Sequence, residues 1–141
     1  MTNKEVKDFL NKGYQVKNQI RLKKRRIEDW HRAAESITAT IKPVATYSST
    51  PSKKVEDCVC NIIKLQEEIQ DEIDGLIQIE RDIGNVIKQG TLDDTDRLIM
   101  EARYLNYMKW EEIAVALNYA YRWVLRRHGR AIRLLAENWP L

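Results

Sequence analysis

Val55, Ile62, Ile69, Leu76 and Ile83 fall seven residues apart without exception. An aliphatic companion follows each of them three or four positions later: Val59, Leu65, Ile73, Ile79 and Ile87. A strand cannot use this spacing, because its faces alternate every two residues. A helix whose apolar positions recur every 3.5 residues carries one narrow seam and must bury it against another helix. The repeat therefore predicts a helix from about Ser52 to Gln89, with roughly 50 Å of seam at 1.5 Å per residue.

A partner for that seam lies upstream. Val6, Phe9, Gly13, Val16, Ile20, Ile27, Trp30, Ala34, Ile37 and Ile41 alternate at steps of three and four, and Lys23 takes the slot between Ile20 and Ile27. This predicts a first helix from about Asn3 to Ile41. Residues 42–54 hold Pro43 and Pro51 among Ser and Thr, so they read as a loop. Two long helices joined by about a dozen residues are expected to fold back as an antiparallel hairpin over 1–89. Charge agrees with this. Residues 1–42 carry 11 Lys/Arg against 5 Asp/Glu, and residues 55–89 carry 3 against 9. Arg21-Leu-Lys-Lys-Arg-Arg26 stands about as far before the loop as Glu67-Glu-Ile-Gln-Asp-Glu-Ile-Asp74 stands after it. Lys23 and Glu72 would then meet within the seam and set the register of the pair. In the competing arrangement Ile73 fills the seam and Glu72 points to water.

Beyond the repeat the pattern shortens into a second region, 92–141. Gly90 reads as a helix C-cap, and Asp93 with Asp96 as the start of the next helix. Leu98, Ile99, Ala102 and Leu105 give that helix an apolar face, and Asn106-Tyr107-Met108 reads as a turn. Trp110, Ile113, Ala114 and Leu117 mark a short helix, and Asn118 suits a left-handed turn residue. The last helix, about Ala120 to Asn138, places Val124, His128, Ala131, Ile132 and Leu135 on one face. A helix, a short helix, a turn and a basic helix in that order predict a three-helix, helix-turn-helix unit within an all-α chain.

The basic helix holds the candidate functional residues. Arg122, Arg126, Arg130 and Arg133 step by four, four and three, and no acid occurs from Tyr119 to Ala136. Guanidinium groups neutralise phosphates and grip guanine edges with paired hydrogen bonds. Tyr121, Arg122 and Arg126 lie in the first two turns, where base edges of double-stranded DNA come within reach. Arg130 and Arg133 lie further along, where such a helix rises toward phosphates.

Leu98-Ile-Met-Glu-Ala-Arg-Tyr-Leu105, Lys109-Trp-Glu-Glu-Ile-Ala-Val-Ala-Leu117 and Asn118-Tyr-Ala-Tyr-Arg-Trp-Val124 together resemble region 4 of sigma-70-type factors. His128-Gly129-Arg130-Ala131-Ile132 is similar to the phage-encoded, region-4-like regulators of the ArpU and RinA type. The resemblance covers about 92–137. It implies a phage or prophage transcription regulator acting in the bacterial cytoplasm, with RNA polymerase as a possible contact. The chain departs from that pattern at Ala120, where Ser or Thr usually caps the helix, and at Arg127, where an apolar residue is common.

Other chemistry finds little support. Cys58 and Cys60 are two apart on a helix and point to different faces, with no second pair and no nearby His, so neither a disulfide nor a zinc site is expected. His31 and His128 lie in different segments, and His128 reads as a packed residue. Trp110 and Trp123 read as packing residues too. No nucleophile–base motif, metal cluster or glycine-rich phosphate loop is present, so the chain is expected to be neither an enzyme nor cofactor-dependent. No apolar run reaches the length of a membrane span. Two alternatives remain: a small terminase subunit that binds phage DNA for packaging, and an adaptor that docks on RNA polymerase or another protein. A homodimer formed through 1–89 is expected as well.

Overall fold

The computed structural model describes residues 1–41, 53–91 and 93–140. The loop expected at 42–54 lies almost wholly outside the described residues. Among those described the chain is all-helical: α1 (Asn3–Leu10), α2 (Lys12–Ile41), α3 (Lys53–Gly90), α4 (Asp94–Tyr104), α5 (Trp110–Leu117) and α6 (Tyr121–Glu137). The single helix expected over Asn3–Ile41 is interrupted at Asn11, which keeps a right-handed backbone and donates its N–H to Lys7 O at 2.9 Å.

The chain divides into two compact units, one of residues 17–75 and one of residues 1–16 with 76–141. In the first, side chains of α2 meet side chains of α3. Lys23 reaches Glu68 and Glu72, while Trp30, Ala33 and Ile37, further along α2, share a shallow groove with Lys54, Asp57 and Cys58, further back along α3. Ile20, Cys58, Ile62, Leu65 and Ile69 are buried between them. The companions expected at Val59 and Ile73 sit off this line. Val59 is exposed and Ile73 half-buried, and the seam passes through Cys58 and Glu72 instead. The reason is geometric. Positions three beyond each heptad residue stay level with one partner helix, whereas those four beyond rotate out of the seam. Charge pairing is narrower than the two blocks suggest. Lys23 Nζ bonds Glu72 and lies 3.3 Å from Glu68, whereas Arg21, Lys24, Arg25 and Arg26 form no ion pair among the described residues.

The second unit is assembled from both ends of the chain. Val6 and Leu10 of α1, Ile83, Val86 and Ile87 of α3, Met100 and Tyr104 of α4, and Ala131, Ile132 and Leu135 of α6 form one buried cluster. Phe9 and Trp139 close it with an edge-to-face contact at 5.1 Å. Burying Val6 and Leu10 is worth about 4 kcal/mol together. The boundary expected between 89 and 92 therefore falls inside a packed core, and the segments 1–16 and 76–90 belong with the C-terminal helices.

Two glycines are explained by close approach. A Cβ on Gly90 would overlap Leu135 Cδ2, and one on Gly13 would come 2.5 Å from Tyr107 Oη. Gly90 is thus the last residue of α3 packed under α6, without the positive φ expected of a C-cap. Asp93 does cap α4, accepting from Thr95 and Asp96 N–H at 2.8 and 3.3 Å. Asp96 does not reach back to complete a capping box, because its carboxylate is engaged by α6. On α4, Leu98 is exposed, and Met100 and Tyr104 take its expected place in the core.

Candidate nucleic-acid interface

The placement of α6 begins with the turn before it. Asn118 has φ 60° and ψ 46°, the left-handed conformation an Asn tolerates better than most residues. Its N–H donates to Val115 O at 3.2 Å, and the Tyr119 N–H donates to Ala114 O at 3.0 Å. This pair of bonds is the Schellman closure of a helix C-terminus. It ends α5 abruptly and leaves residues 118–120 to reach the start of α6. Ile99, Ile113, Ala114 and Val124 form a second buried cluster, flanked by Ala102, Met108, Trp110, Leu117 and Trp123. These contacts hold α5 against both α4 and α6.

Ala120 is the N-cap of α6 and supplies no side-chain acceptor, and no acid stands in the first turn. That end of the helix is therefore electropositive and its first N–H groups have no cap from the preceding side chain.

Arg122, Arg126, Arg130 and Arg133 are all exposed, and none forms an ion pair among the described residues. At about 100° per residue, Arg122, Arg126 and Arg133 share an arc of about 40°, with Arg130 about 40° beyond Arg126. The structure separates them further. Arg126 and Arg133 line a groove with Asn3, Lys7 and Gly129, beside α1. Arg130 lines a different one, with Thr91, Asp93, Asp96 and Asn138. Tyr121 is exposed, but it leaves the helix about 100° from Arg122, on the side of Val124 rather than of the arginines.

The fifth arginine of the helix has another occupation. Arg127 Nε donates to Asp96 Oδ1 at 2.6 Å, and its Nη2 lies 2.7 Å from Asp93 Oδ2. Asp96 is only 3% exposed, so the pair is a clasp between α4 and α6. The same contact holds the Asp93 carboxyl below the usual carboxylate range, through its hydrogen bonds with Arg127 first and with the Asp96 N–H second. Trp123 lies beside the Arg127 guanidinium, 5.2 Å from ring centroid to Cζ, and stacks on Tyr119 at 4.3 Å. An apolar residue at 127 would leave Asp96 without its cation.

His128 is packed. Its Nε2 lies 2.6 Å from Tyr104 Oη, and the Trp110 ring meets it edge-on with centroids 4.5 Å apart. Burial, with the charges of Lys7 and Arg103, pushes its pKa down to about 4, so the imidazole is neutral at neutral pH. Burial raises the Tyr104 phenol to about 12. Trp110 also carries Arg103 over its face at 4.6 Å. Tyr107, with φ 57°, donates to Glu80 Oε1 at 2.7 Å and so anchors the α4–α5 loop.

Sequence reasoning missed the Arg127–Asp93–Asp96 clasp and the place of Lys7 beside α6. The first had a signal in a fifth arginine, Arg127, set one residue off the row of the other four. The second had none, since residue 7 and residue 126 are brought together only by tertiary packing. Within the second unit lie Tyr121, Arg122, Arg126, Arg130 and Arg133; Lys23 and Glu72 belong to the other. Among the described residues no group of three or more His, Cys, Asp or Glu side chains is placed to hold a metal ion, and no helix is long and apolar enough to cross a membrane. Comparison with described protein families, with curated proteins and with solved structures found no match for this chain.

Proposed function

We propose that the chain binds double-stranded DNA by laying α6 in the major groove, as the recognition helix of a three-helix, helix-turn-helix unit made by α4, α5 and α6, and that α2 and α3 form a helical hairpin serving assembly. The observation that carries this reading is the exposed face of α6: four arginines, no acid from 119 to 136 and no ion pair on any of the four among the described residues. The apolar face opposite holds the helix rigidly through Val124, Ala131, Ile132 and Leu135, and the uncapped, electropositive N-terminus faces outward. The resemblance of 98–124 to region 4 supports sequence-specific transcription control of the phage-regulator type.

The test is titration of cognate and scrambled duplexes, the cognate site first being selected from random DNA. Arg122→Ala, in the first turn, is expected to cost roughly 1–3 kcal/mol on the cognate site and to relax preference at one or two base pairs. Arg133→Ala is expected to weaken both duplexes alike and to lower the salt slope by about one. Wild-type affinity in both variants, or binding that is insensitive to salt, would turn the reading toward the protein-docking adaptor. A closed ring of many subunits would favour the packaging subunit.

Self-association through α3 belongs to the same proposal, with a second copy as the occupant. Val59, Ile63, Gln66, Gln70 and Ile73 form an uncharged row on α3 that borders the seam, with Val59 and Ile63 nearly half exposed. The exposed acids Glu67 and Asp71 flank it, and the unpaired Arg21, Lys24 and Arg25 of a second α2 would complement them. Ile63→Glu is expected to leave a folded monomer in light scattering. Wild-type protein that stays monomeric at high micromolar concentration would exclude this part.

A further inference from the structure

The groove between α1 and α6 joins residues that lie far apart in the sequence. Asn3 and Lys7 stand on one side of it; Arg126, Gly129, Ile132 and Arg133 stand on the other. Three cations therefore converge on one opening, and none of them has a carboxylate partner among the described residues. Like charges left together without compensation destabilise a fold slightly, so their convergence is explained by a ligand that brings negative charge. Between the cations the floor is open. A Cβ built on Gly129 meets nothing within 4 Å, so neither backbone conformation nor internal packing requires glycine there. Glycine in mid-helix is less favourable than alanine, because it loses more conformational freedom on folding. On this basic face the missing side chain lets a ligand approach the helix backbone closely.

We propose that Lys7, Arg126 and Arg133 form one phosphate-binding site, floored by Gly129 and edged by Asn3, which holds adjacent phosphates of one DNA strand while α6 occupies the groove beside them. The proposal rests on the reading of α6 given above and adds α1 to the interface. A major groove of about 12 Å is filled by a single helix. Whatever flanks that helix therefore meets the groove wall, which is the sugar–phosphate backbone. It also moves Arg126 from the base-reading group, where sequence position alone puts it, to the phosphate group with Arg133.

Lys7→Gln keeps the side-chain stem at an exposed position and removes the charge. Each phosphate neutralised contributes about 0.9 to the slope of log affinity against log salt, so this variant is expected to bind cognate and scrambled duplexes about eightfold less tightly at about 0.1 M salt, with the slope reduced by about one. Arg126→Ala is expected to behave in the same way, without relaxing base preference. Gly129→Ala is expected to raise the melting temperature, and Gly129→Glu to stay folded while losing at least about tenfold in affinity as its carboxylate competes for the cations. A Lys7→Gln slope equal to wild type, with Arg122→Ala still impaired on the cognate duplex, overturns the phosphate site and leaves the α6 reading standing. A second arm does not depend on DNA. Titration with inorganic phosphate, followed by NMR, is expected to shift the backbone amide of residue 129 saturably in the wild type and not in Gly129→Glu. Absence of that shift in the wild type overturns the site whatever the duplexes do.

Discussion

Replacing Arg127 by Met removes the cation of the α4–α6 clasp and keeps the length and apolar bulk of the stem. Asp96, 3% exposed, would then hold a carboxylate with no compensating charge beside it. Removing one partner of a fully buried pair costs about 3–5 kcal/mol, most of it the penalty of the charge left behind. The Arg127 side chain is 19% exposed and Asp93 is open to water, so part of that penalty is screened. We therefore expect a loss of about 2–3 kcal/mol, or roughly 6–10 °C of melting temperature for a chain of this size. Urea and thermal unfolding followed by circular dichroism measure it. Arg127→Met with Asp96→Leu is expected to recover most of the loss, because the buried charge goes with its partner. Below its melting temperature the single variant should keep the salt slope of DNA binding, since Arg127 faces α4 and not the groove. A loss under about 1 kcal/mol, or a double variant no more stable than Arg127→Met, would refute the assignment of the clasp as the link between these helices.

Acid is expected to destabilise the fold through His128. Its pKa is about 4 when folded and 6.5 in the free chain, so the unfolded state binds the extra proton; the contribution is intact above pH 6.5 and about 3 kcal/mol is lost as pH falls to 4. His128→Phe should flatten that part of the stability–pH curve. Lys23→Leu with Glu72→Leu is expected to raise the melting temperature, since both side chains are mostly removed from water and aliphatic residues would fill the same layer; unchanged stability would count against their burial. Gly90→Ala should cost about 1–3 kcal/mol through overlap with Leu135, measured by urea unfolding.

The helices and their order were legible because period and punctuation are local. The heptad run in 55–83, the turn at Asn118 and the apolar face of α6 all appear in windows of a few residues. What escaped was set by tertiary packing. The Asn3–Ile41 pattern reads as one seam, yet Val6 and Leu10 serve a different core from Ile20, and nothing in a continuous three–four spacing marks where the partner changes. Gly90 looked like a cap because it follows a helix, but its reason is Leu135, 45 residues on. Hydrophobicity alone places Leu98 inside, while Met100 and Tyr104 hold the inner positions. For the candidate site, the arginine spacing showed a basic face. It did not show that Arg130 opens toward Asp93 and Asp96 while Arg126 and Arg133 open toward Lys7.

Because residues 1–16 and 76–141 share one core, the order of synthesis and the order of folding are at odds. Val6 and Leu10 leave the ribosome before any other part of their core, which is complete only when Ile132 and Leu135 arrive at the other end of the chain. The unit between them, 17–75, buries side chains of its own and so is free to form early. A gene fragment cut at residue 90 to isolate the basic helix would express a piece lacking half of its own interior. Matched whole-heptad deletions from α2 and α3 within 17–75 would instead shorten an insertion and leave that interior complete.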